Sequence, residues 1–236
     1  MKKQLAALVG ALAFAGSAHA ASFTLNFGAS SESSNAQATG ASATVQFTAV
    51  DEGGDVRLTM VLSNTTGATT FGAGATESVF TGFAFDVIDG VSILSSSLAT
   101  SFDTLLTNVS FTPFSNRSEI GAFDFGLADN NSFEGGNANM ALGAGGTETV
   151  SFLLDTDLDA LTLLTTYLAA FISGDADAAV RFQQANAGEG SDKLLLSNVT
   201  GGGITIDDLN PVPVPGAIVL FGTALAGAAA ARRRRA

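Results

Sequence analysis

The stretch Ala43-Thr-Val-Gln-Phe-Thr-Ala-Val50, Asp51-Glu-Gly-Gly-Asp55, Val56-Arg-Leu-Thr-Met-Val-Leu-Ser63 decides the fold. Two runs rich in β-branched and apolar residues alternate with polar ones and flank Gly53-Gly54. A period of two puts every second side chain on one face, and paired glycines accept the backbone of a tight turn. The reading is a β-hairpin with Val56, Leu58 and Met60 turned inward and Arg57 and Thr59 facing water.

The same pattern continues on both sides. Ser22 to Phe27 alternates, with Phe23, Leu25 and Phe27 on one face, and a Ser/Ala/Asn/Gly-rich loop from Ala29 to Gly40 follows. Further strands are expected at Ser78–Asp86, Val91–Leu94, Val109–Phe111, Ile120–Gly126, Thr147–Leu154, Ala179–Gln184 and Lys193–Val199, with a last candidate at Ile204–Ile206. Ser95 to Leu106 shows no clear period. Asn64–Thr76, Asp129–Asn137 and Ala187–Asp192 read as loops. One helix is expected over Leu158–Ile172, because Leu161, Leu164, Leu168 and Phe171 recur at steps of three and four. Asp155, Asp157 and Asp159 crowd its start, where carboxylates cap N–H groups, and Gly174 ends it. The fold class is mainly β: a β-sandwich, jelly-roll-like, with one short helix and a closed barrel as the alternative. Phe23, Leu25, Phe83, Phe85, Phe123, Phe125 and Phe152 are the expected core.

The two ends of the 236-residue chain stand apart from this body. Lys2 and Lys3, the apolar run Leu5–Ala15 and the small-x-small triplet Ala18-His19-Ala20 form an export signal, residues 1–20, with signal peptidase cutting before Ala21. Residues 21–210 form one domain, long enough for a substantial core. They carry Arg57, Arg117, Arg181 and Lys193 against all 22 acids, which leaves a net charge of −18. That argues against nucleic acid and anionic lipid as partners and leaves divalent cations open. Cysteine and tryptophan are absent, His19 lies in the signal, and Tyr167 is the only tyrosine beside 18 phenylalanines. Such aromatics fill cores rather than wet binding faces.

Residues 211–236 begin with Pro211-Val212-Pro213-Val214-Pro215, continue through an uncharged run from Gly216 to Ala231, and end in Arg232, Arg233, Arg234 and Arg235 before Ala236. The prolines hold the chain extended. Sixteen helical residues span roughly 24 Å, a little less than a hydrocarbon core, and arginines can lengthen the reach. The arginines stay cytoplasmic, so the reading is a transmembrane stop-transfer helix with the body outside. This tail resembles the PEP-CTERM bacterial sorting signals, in their VPLPA-type variant: Val212, Pro213, Val214, Pro215, Gly216 and Ala217 stand where that motif is found, with Val214 replacing Leu and Gly216 inserted. The resemblance implies processing by an exosortase, a membrane cysteine protease that cuts near the motif. Phe80–Asp86, Asn131–Gly136 and Val180–Gln183 also resemble the bodies of such proteins, which implies an exported β-rich domain. An uncleaved membrane anchor is the competing reading of the tail.

Catalytic chemistry finds little support. With no His or Cys in the mature chain there is no Ser-His-Asp or Cys-His site, and zinc lacks its usual ligands. No phosphate-binding loop of the Gly-x4-Gly-Lys-Ser/Thr kind is present. Two carboxylates could run glycoside hydrolysis, but the aromatic platforms of sugar subsites are missing. Asp155-Thr-Asp157-Leu-Asp159 begins like a calcium loop and then departs from it, with Ala160 at position six and Thr166 at position twelve. Asp175 and Asp177 beside Gly174 make a second calcium candidate. Asn64, Asn108, Asn116, Asn130 and Asn198 open Asn-x-Ser/Thr triplets and read as turns and strand edges. The reading is therefore a non-enzymatic, exported, exosortase-processed cell-surface or extracellular-matrix protein, structural or adhesive, linked to exopolysaccharide or biofilm and without a cofactor. Its alternatives are a permanently membrane-anchored module binding calcium or glycan, and a carboxylate glycosidase.

Overall fold

The computed structural model describes residues 21–68, 74–110, 122–129, 133, 138–186 and 190–202. The export signal and the tail lie outside the described residues, as do Phe111 and Ile204–Ile206. Among the described residues no helix is long and apolar enough to cross a membrane.

Two antiparallel sheets face each other. The first contains β1 (Ser22–Phe27), β2 (Ala43–Glu52), β3 (Asp55–Asn64), β5 (Ser92–Ser97), β9 (Thr147–Asp155) and β12 (Asn198–Gly202), in the order β12-β1-β2-β3-β9-β5. The second contains β4 (Val79–Phe85), β6 (Thr104–Val109), β7 (Phe123–Ala128), β10 (Ala178–Gln183) and β11 (Asp192–Leu195), in the order β11-β10-β4-β7-β6, with short β8 (Leu142–Gly143) on β4. The quoted stretch is the hairpin β2–β3, closed at Gly53 and Gly54 with φ of 68° and 106°, a backbone that side-chain-bearing residues rarely adopt. Val56, Leu58 and Met60 are buried, and Arg57 lies outside in an ion pair with Glu52.

The inner faces meet through phenylalanines. Phe47 of β2 lies edge-on to Phe83 and Phe85 of β4, with ring centroids 6.4 and 6.3 Å apart, and stacks on Phe23 at 4.7 Å. Helix α1 (Ala160–Ser173) carries the chain from β9 in one sheet to β10 in the other. Tyr167 and Phe171 of α1 reach Phe47 at 6.2 and 6.1 Å, so the helix fills the wedge between the sheets.

Several expectations shift. Phe80 is an inner residue although its parity opposes that of Phe83. The register of β4 on β10 pairs Phe80 with Phe182 and Gly82 with Arg181, which leaves Thr81 as an extra residue. This bulge turns Phe80 toward Phe102 and Phe182, 5.1 and 5.5 Å away. Strand β6 starts at Thr104, inside the stretch without clear period, rather than at Val109, and β7 begins at Phe123 and runs to Ala128. Phe125 is half-buried, 6.4 Å from Phe85, whereas Phe123 belongs to a cluster with Ala84, Val109, Phe133, Ala179 and Leu195. That cluster covers the outer face of the second sheet, which is why Gly82, Ala84 and Gly126 are small there: a Cβ on Gly82 would meet the Phe133 ring at 2.8 Å.

Lys193–Val199 is not one strand. β11 pairs with β10 and β12 with β1, so the chain changes sheets between them. Leu196 N–H donates to Ala178 O at 2.8 Å in the second sheet, and Ser197 Oγ donates to Asn26 O at 3.1 Å in the first. On α1, Leu161 points to solvent with 48% exposure, and the buried stripe is Ala160, Leu163, Leu164, Tyr167, Leu168 and Phe171.

Candidate functional site

The acids singled out in the sequence do not converge. Asp159 is the N-cap of α1, its Oδ1 accepting from Thr162 N–H at 2.7 Å. That backbone hydrogen bond, with the Thr162 side chain next, holds its carboxyl below the usual range. Ala160 N–H is taken by Asp51 Oδ1 at 2.8 Å, a cap supplied from the β2–β3 hairpin that no local pattern announces. Asp155 and Asp157 are exposed and line a small pocket of about 280 Å³ beside Gly90 and Ser92. Asp175 and Asp177 stand at the other end of α1, whose 14 residues set the two groups roughly 21 Å apart. Asp175 Oδ2 accepts from Ser173 Oγ at 2.7 Å, and Asp177 Oδ1 from Ala178 N–H at 2.8 Å. Asp177 N–H donates to Asp86 Oδ2 at 2.8 Å. Asp86 is pushed above the usual carboxylate range, first by burial, against the pull of that Asp177 N–H and with Asp124 and Asp177 adding repulsion. Among the described residues no group of three or more acids gathers closely enough to hold a metal.

Burial accounts for several other candidates. Asn64 is 1% exposed and donates Nδ2 to Ser78 O and Leu142 O at 3.0 and 2.9 Å, so it ties three segments together inside the fold. Tyr167 is buried, which raises its hydroxyl pKa, with its hydrogen bond to the Ile88 backbone acting against that. A groove of about 460 Å³ runs between Phe171, Ile172 and Asp177 at the end of α1 and Leu196–Val199 at the sheet crossing.

An extended polar surface is formed by the outer face of the first sheet. Because Phe23, Phe47, Met60 and Val150 point inward, their strand neighbours point out, and the register aligns them in rows. One row reads Thr48, Thr59, Ser151 and Ser97; the next Thr200, Thr24, Gln46, Val61 and Thr149; the third Asn198, Asn26, Thr44, Ser63 and Thr147. Cross-strand hydrogen bonds stiffen it: Asn26 Nδ2 donates to Thr200 Oγ1 at 3.2 Å, and the hydroxyls of Ser63 and Thr147 lie 3.1 Å apart. None of these residues is charged. Strands repeat at ~4.8 Å and same-face residues at ~6.7 Å, so the face is a grid of hydroxyl and amide groups. The sequence contains this grid as the polar half of each alternating strand, but only the register shows that the halves align. Comparisons with protein-family models, with curated proteins and with solved structures find no match to this chain.

Proposed function

We propose that this chain is an exported, exosortase-processed protein of the cell surface or extracellular matrix, whose β-sandwich body has a structural or adhesive role against exopolysaccharide. The ends of the sequence support the route: an export signal over 1–20, and at 211–236 a tail resembling a PEP-CTERM signal, which inserts in the membrane before processing. Repeated crossing of the chain between the sheets supports a jelly-roll-like body. The hydroxyl and amide grid supports the partner. Its three rows carry no charge, and the Arg57–Glu52 pair beside them is internally neutralised, so on a domain of strongly negative net charge this is where a neutral sugar polymer can approach without repulsion and exchange hydrogen bonds with water-like groups. Without tryptophan and with its single tyrosine buried, this face has no aromatic platform for sugar rings. Each contact is then weak, and retention on a long polymer comes from many contacts at once.

The test is co-sedimentation of the mature body with neutral and with anionic polysaccharide. Binding is expected for the neutral polymer alone, and Thr24→Glu with Thr59→Glu should abolish it while leaving the melting temperature within a few degrees. Equal binding by the double variant would overturn the assignment of the face.

A further inference from the structure

We propose that Asp103 and Asp129 together hold a hard divalent cation, calcium by preference, at the ends of β6 and β7. The site goes beyond the adhesive reading and involves none of the acids flanking α1. The register pairs Thr104 with Ala128, so the residues one step further out, Asp103 and Asp129, face each other across the antiparallel pair. Like charges directly opposite on adjacent strands are destabilising. Here the arrangement is more costly still, because Asp129 is only 6% exposed and its Oδ2 is buried without a hydrogen-bond partner. A buried carboxylate oxygen that gives up water must be neutralised or coordinated. Asp103, by contrast, is exposed, with Oδ1 accepting from Thr104 Oγ1 at 2.9 Å. Burial first, and the Asp103 charge second, push the Asp129 carboxyl above its usual range. An all-oxygen pair of carboxylates with one member open to water matches what calcium accepts, since it fills its shell with waters where the protein offers few ligands. No imidazole or thiolate stands in the mature chain to select a softer metal. The ion would pin the start of β6 to the end of β7.

Chelator-stripped mature protein is titrated with calcium chloride at neutral pH, and the melting temperature and the calorimetric binding isotherm are recorded. Wild type should gain about 5 °C at saturation, since a ligand of the folded state stabilises it by mass action. Asp129→Asn should lose the shift and the isotherm. Asp103→Asn, at an exposed position that tolerates substitution, should bind at least ~10-fold more weakly, a loss of about 1.4 kcal/mol. Asp155→Asn with Asp157→Asn should respond as wild type does. A wild type indifferent to calcium means that a proton neutralises Asp129 instead and overturns the proposal. So does a full shift in Asp103→Asn.

Discussion

Asp192 shows how much one side chain can organise. It is 0% exposed, and its Oδ1 accepts from Ser33 Oγ and Ser34 Oγ at 2.7 and 3.2 Å, its Oδ2 from Thr39 N–H and Thr39 Oγ1, each at 2.9 Å. One buried carboxylate thus holds the loop between β1 and β2 at two points, Ser33–Ser34 and Thr39. Asp192→Ala leaves those donors without a partner, and hydrogen bonds to a charged group contribute about 1.5–3 kcal/mol each. A loss of at least ~3 kcal/mol is expected in urea denaturation; a loss under ~1 kcal/mol would mean that the loop is held elsewhere. Gly82→Ala tests the opposite case, overpacking. The new methyl meets the Phe133 ring at 2.8 Å, and the expected cost is about 1–3 kcal/mol. Neither residue announces itself in the sequence. Asp192 reads as the end of a Gly/Ser/Asp turn, and Gly82 as an ordinary strand glycine, because their partners lie 153 or more residues away or across a sheet face.

Elements were legible where a local pattern and the tertiary environment agree. The β2–β3 hairpin, β1, β9 and β10 follow from alternation that one buried face enforces. Helix α1 follows from its period, with Gly174 closing it at φ 81°. Where the pattern missed or misplaced a residue, the fold breaks the period. A bulge at Thr81 reverses the parity of Phe80, and a change of sheet at Leu196–Ser197 divides an apparently continuous strand. The helix stripe is rotated from the Leu161–Leu164–Leu168 reading because Tyr167 and Leu163, not Leu161, face the wedge. Leu161→Ala should therefore change stability by less than ~0.5 kcal/mol and Leu164→Ala lower it by about 2–5 kcal/mol, measured by the same urea transitions. Equal losses would return Leu161 to the core. The cap gives a pH-dependent counterpart. Asp159 has a folded pKa below its unfolded value, so its contribution is complete above the unfolded value of about 3.9 and disappears as pH falls through the folded one. Asp159→Ala should cost ~1 kcal/mol at pH 7 and little once wild type is also protonated. A cost that persists in acid would assign it to packing instead.

For the molecule as a whole, the sequence sets a body apart from a C-terminal segment that we propose is a sorting signal. The body is acidic and cysteine-free, and its core is built on phenylalanine. Its candidate face was not legible, because rows of hydroxyls across five strands exist only in the register. The proposed sorting signal rests on order and spacing alone, and it sets the last prediction. In the proposed reading, the prolines at 211, 213 and 215 would keep that segment extended, the form a protease takes into a strand-like groove. The run Gly216–Ala231 is rich in Ala and Gly, so its hold on lipid is weaker than that of a Leu-rich span. In that reading the arginines would stop transfer and orient it. Pro213→Ala with Pro215→Ala should block processing and leave the tail on a membrane-bound protein, seen as full mass beyond Ala21 in the membrane fraction. Replacing Arg232–Arg235 with Ser should instead release unprocessed protein. Wild-type protein from a host that carries the processing enzyme should lack all four arginines by intact mass. If they are still present, the tail is a plain anchor, and the exported body stays tethered to the membrane while presenting its face to the matrix.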